Sequence, residues 1–105
     1  MNLLFYLIAG HFIADYPLQG DFLARGKNHK LPLQGVPWYQ CLLAHSFIHG
    51  AFVAIITGSL VLGILEVFLH AIIDFGKSNG WYGFNVDQLL HFTCKVFYVL
   101  IIYYL

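Results

Sequence analysis

A chain of 105 residues that is 60% apolar and 10% charged, with a mean hydropathy of +0.74, is too apolar for an ordinary soluble domain of its size. Its five basic and five acidic side chains cancel to a formal charge of zero, and they form no basic patch for nucleic acid. Two cysteines, Cys41 and Cys94, without a CxxC pair exclude a disulfide framework.

Apolar runs at 3–13, 41–56, 59–73 and 89–105 approach the length needed to cross a bilayer, about 20 residues. The expected fold is all-α: one integral membrane domain over 1–105, with antiparallel transmembrane helices at about 2–24, 38–57, 59–77 and 85–105. The first run has no basic n-region of a signal peptide and is expected to persist as a span. Pro17 should kink it, or end its regular part just after Asp15, leaving 18–24 as an interfacial continuation. Residues 25–37 carry Arg25, Lys27, Lys30, Pro32, Gly35 and Pro37 and read as the long loop, with His29 solvated. Helix 2 follows, and Gly58-Ser59 turns the chain into helix 3. Residues 78–84 form a short connection, and Asn85 is the expected N-cap of helix 4. A rival reading joins 50–69 into one span. It would send His45/His49 and His70/Asp74 to opposite faces, and the turn at Gly58 keeps them together.

Arg25, Lys27, Lys30 and Lys77 then share one side, which the positive-inside bias makes cytoplasmic, with both termini outward in a bacterial inner membrane. Trp38, Trp81 and Tyr82 are anchors on that side; Tyr103 and Tyr104 lie on the other.

Each expected helix carries two metal-competent side chains four residues apart: His11/Asp15, His45/His49, His70/Asp74 and Asp87/His91. That spacing puts both members on one helix face. Polar residues are costly against lipid, so the pairs should face the bundle interior. Antiparallel threading sorts them by depth. Asp15, His45, Asp74 and Asp87 are shallow; His11, His49, His70 and His91 lie one turn deeper; Glu66 and Lys95 form an ion pair beneath. The eight groups suit one or two divalent ions, with zinc favoured and manganese or iron as alternatives. The rise from i to i+4 is about 6 Å, whereas catalytic metal pairs sit about 3.5–4 Å apart. A bridging carboxylate such as Asp15 or Asp74, or a single metal with the remaining groups around it, would resolve the mismatch. Gln19 shares the face of Asp15, and Gln88 adjoins Asp87 to orient a ligand or substrate. Cys41 and Cys94 sit at helical spacing from His45 and His91 and read as small buried residues. The small-residue stretch 58–63 leaves a homo-oligomer open.

The segments HFIADYPLQGDFLARGK, AHSFIHG, EVFLHAIIDFGK and VDQLLHF resemble, in order and spacing, the motifs of the DUF3307 family of small integral membrane proteins. The chain is distantly similar to predicted membrane-bound metal-dependent hydrolases, and fainter in ligand style to all-helical zinc phosphodiesterases and phospholipases C. The resemblance implies a metal site at the eight paired residues and, by analogy, hydrolysis. The compact length suggests a phage or small mobile genome. The expected function is intramembrane hydrolysis of a phosphoester or acyl bond of a lipid-like substrate near the cytoplasmic leaflet. There Asp15 or Asp87 takes a proton, and Lys77 or Arg25 holds an anionic head group. The alternatives are a divalent-cation or proton carrier, and a non-enzymatic effector stapled by metal.

Overall fold

The computed structural model describes residues 2–105, and Met1 lies outside them. Its elements are α1 (Leu3–Asp15), α2 (Gly20–Gly26), α3 (Trp38–Thr57), α4 (Leu60–Ser78) and α5 (Phe84–Tyr104). The single first helix expected over 2–24 is therefore two. Pro17 has no N–H to continue the ladder, and a turn over 16–19 separates α1 from α2. Gly20 begins α2 at φ +65°, a left-handed value that glycine adopts without a Cβ penalty.

Gly58 closes α3 at φ +71°, so no continuous 50–69 span forms. Ser59 caps α4, its Oγ accepting from the Leu62 N–H at 3.2 Å. At α5 the N-cap is Gly83 rather than Asn85, which already lies in the first turn.

α3 packs on α1, α2 and α4, and α5 closes the ring against α4 and α1. Side-chain pairings fix the directions. Asp15 at the end of α1 meets His45 and His49 in the middle of α3, while Gly10 faces Phe52 and Ile56 further along. Glu66 of α4 meets Lys95 and Tyr98 of α5, one or two turns past the Asp74–His91 contact. Neighbouring long helices are thus antiparallel, with α2 laid on the outside of α3. Gly50 and Gly63 let α3 and α4 approach so closely that a Cβ on either would strike the carbonyl of the other.

The interior is divided. Leu7, Val53, Leu62 and Tyr98 make an apolar core toward the Gly58 turn. The half nearer the loops is filled by His11, His45, His49, His70 and His91 with Asp74, Asp87 and Gln88, all buried. Large apolar side chains face outward instead, among them Phe5, Ile55, Val61, Phe68 and Ile72.

Of the four expected spans, two helices, α3 and α5, are long and apolar enough to cross a membrane. α1 has 13 residues and so rises only about 20 Å. α4 has the length, but it carries Glu66, Asp74 and Lys77.

Candidate metal centre

Two carboxylates organise the site, each on the last turn or two of its helix. Asp15 is held at the end of α1, whose terminal carbonyl accepts from Gln19 Nε2 at 3.0 Å. Asp15 Oδ1 lies 3.2 Å from both His45 Nε2 and His49 Nε2. Asp15 Oδ2 accepts from Gln88 Nε2 at 3.0 Å and lies 3.5 Å from His11 Nε2. Asp74 Oδ1 lies 3.0 Å from His91 Nε2, and its Oδ2 lies 3.4 Å from His70 Nε2 and 3.5 Å from His45 Nε2. His45 therefore stands between the two carboxylates. Asp87 Oδ1 is 3.5 Å from His91 Nε2 and has no hydrogen-bond donor.

One turn further in, four imidazoles close a ring. The His11–His49, His49–His70, His70–His91 and His91–His11 centroids are 5.0, 3.7, 4.1 and 5.2 Å apart. The depth order expected from antiparallel threading is present: carboxylates near the loops, imidazoles beneath, and the Glu66–Lys95 pair at 3.0 Å below those.

Glu66 fixes one imidazole completely. Its carboxylate accepts from His70 Nδ1 at 3.0 Å, from Lys95 Nζ at 3.0 Å and from the Tyr98 hydroxyl at 2.6 Å. In a neutral His70 with Nδ1 donating, Nε2 is a bare lone pair. It is buried, has no donor, and points at a carboxylate oxygen. In that tautomer two electron-rich atoms face each other across 3.4 Å, an arrangement that a cation between them would stabilise.

The charge count points the same way. Asp15, Glu66, Asp74 and Asp87 are matched within the bundle by Lys95 and by Lys27, whose Nζ lies 2.8 Å from Asp74 Oδ2. With every imidazole neutral, two negative charges remain in a nearly dry interior, the complement of one divalent ion; an imidazolium at His91, 3.0 Å from Asp74 and 3.5 Å from Asp87, would answer one of them.

Three groups of side chains bring one ligand atom each within 4.8 Å of one another: Asp15/His45/His49/His70, Glu66/His70/His91 and Asp74/Asp87/His91. The second is weakened by the commitment of Glu66 to Lys95 and Tyr98. His11 falls in none of them: its Nε2 donates to Gln88 Oε1 at 3.1 Å. Gln88 thus ties His11, Asp15 and Asp87 together, its amide also donating to Asp87 Oδ2 at 3.2 Å.

Several expected positions differ. Lys77 is exposed and lies over the Phe84 ring at 5.0 Å, away from the carboxylates. Arg25 pairs at the surface with Asp21. The cation at the site is Lys27, which its place in a basic loop gave no reason to single out. His29 is not solvated: it stacks on Phe75 at 4.0 Å and bonds Asn79 Oδ1 at 3.1 Å. This pins the segment bearing Lys27 over the end of the bundle. Tyr82 adds to that cover, its hydroxyl donating to the Ile73 carbonyl at 2.5 Å. Burial, with the Asp87 and Asp74 carboxylates nearby, pushes its phenol pKa up. Cys41 packs under Gly26, and Cys94 lies against the apolar core.

The family model for DUF3307, described as a protein of unknown function, matches residues 3–105. No curated protein and no solved structure matches the chain.

Proposed function

The chain belongs to the DUF3307 family, and we propose that it is an integral membrane metalloprotein that hydrolyses a phosphoester or acyl bond of a lipid-like substrate. The single observation that carries the metal is the His70 Nε2 lone pair, forced toward Asp74 by Glu66. The membrane reading rests on α3 and α5 and on an inverted distribution, with ionised groups inside and large apolar side chains outside. α1 and α4 would then lie beside them, their charges turned inward. The positive-inside bias would place Arg25, Lys27, Lys30 and Lys77 on the cytoplasmic side.

Asp15, His45, His49 and His70 would hold the ion, with the Asp74 carboxylate facing it from beyond His70, and the imidazole-rich set favours zinc over magnesium. A divalent ion there supplies Lewis acidity and lowers the pKa of water. Asp15 is the least covered member, its side chain 11% exposed against 4% for Asp74. Substrate would therefore approach past Asp15. Asp87 Oδ1, unpaired and 3.5 Å from His91, is the group placed to take a proton.

The depth of burial favours a second reading, since a closed site is typical of a structural ion. In that case the metal only staples the bundle of a membrane effector, or is itself the cargo of a carrier. Purified protein is expected to contain near-stoichiometric metal that His70→Ala loses, measured by elemental analysis. Comparing lipids of cells making wild type or Asp74→Ala then separates the readings. A product missing from the variant supports hydrolysis. Metal-dependent flux into liposomes without product supports transport. Full wild-type activity in metal-free protein would sink the proposal.

A further inference from the structure

Asp74, Asp87 and His91 bring ligand atoms within 4.8 Å of one another. All three are buried, and Asp87 Oδ1 has no donor. The position resembles a second cation site in every respect but one: Lys27 already sits there. Its Nζ is 2.8 Å from Asp74 Oδ2, the same oxygen that faces the His70 lone pair. Lys27 belongs to neither α4 nor α5. It arrives from the end of α2, at the start of the loop that His29 clamps to Phe75 and Asn79.

We propose that Asp74, Asp87 and His91 form a second, weaker divalent-cation site, and that Lys27 is a tethered cation competing for it. The inference rests on the metal reading above for its first ion. Electroneutrality gives the reason. With Lys27 in place, one divalent ion balances the buried carboxylates. With Lys27 withdrawn, one negative charge is left beside Asp74 and Asp87 and draws a second cation, whose remaining unit of charge a bound hydroxide would balance. A flexible ammonium on a surface segment can be displaced without unfolding a helix, whereas the ligands on α4 and α5 cannot move far. Lys27 thus sets the threshold of cation concentration at which the second position fills.

The test is titration of detergent-purified, metal-stripped protein with Zn²⁺ alone, followed by calorimetry. Wild type should show one tight and one weak binding event, or the tight event only. Lys27→Met should strengthen the weak event at least tenfold, or bring it into range. Lys27→Arg should behave like wild type, and Asp87→Asn should remove the weak event while leaving the tight one. Circular dichroism and elution volume establish that each variant is folded. The same tight event in wild type and Lys27→Met with no change in the weaker one would overturn the tethered-cation role, yet leave the metal reading intact. No binding to any form would overturn both.

Discussion

Glu66 shows how one buried carboxylate can serve stability and chemistry together. Three donors converge on it: an ammonium, a phenol and an imidazole. Removing one member of a buried ion pair is costly, typically about 3–5 kcal/mol, because the partner is left uncompensated. Glu66→Gln should therefore lower the melting temperature in detergent, and Glu66→Gln with Lys95→Met should recover most of it. Metal affinity should separate from this behaviour. Loss of the carboxylate that orients a ligating histidine typically weakens binding about 10- to 100-fold. The double variant should retain that loss in a Zn²⁺ titration; wild-type affinity there would mean that Glu66 serves packing alone.

At the level of elements, the site depends on how near α3 and α4 can lie. Gly50 and Gly63 face each other where a Cβ would meet backbone, not the yielding tip of a side chain. Gly50→Val should push the helices apart, and overpacking of this kind typically costs about 1–3 kcal/mol. It should also loosen the stacking of His49 on His70, since the former sits one residue before Gly50. Gly58→Ala tests a different property, because the turn has open space but a left-handed backbone. The strain there is about 1–2 kcal/mol, and the metal site should be unaffected. Thermal unfolding followed by circular dichroism, with metal content measured in parallel, distinguishes the two variants.

For the whole molecule, an ion held by side chains from α1, α3 and α4 ties together segments that are remote in sequence. A ligand that binds only the folded chain stabilises it by mass action, about 2.7 kcal/mol at a hundred times its dissociation constant. Chelation should lower the melting temperature, and restored Zn²⁺ should raise it again. A melting curve indifferent to chelator would count against an ion bridging these helices. The outward apolar surface is the other global feature. Among the described residues the buried side chains are eleven polar or charged against nine hydrophobic, so the polar network carries much of the specificity of packing.

The spacing of four between paired ligands, the antiparallel order of the long helices and their relative depth were all legible in the chain. They follow from helical periodicity and from turns marked by Gly58-Ser59 and Gly80. The end of the first helix at Asp15 and a continuation beyond Pro17 were legible too, although the restart of the helix at Gly20 was not. Side-chain rotation about those axes was another matter. Periodicity put His11 on the correct face, yet only packing gave its Nε2 to Gln88. Lys77 follows Asp74 by three residues and turns outward, while Lys27, 47 residues away in sequence, reaches it. A loop has no period from which its reach can be read. The stack of His29 on Phe75 and the resulting placement of Lys27 were therefore decided by tertiary contacts alone.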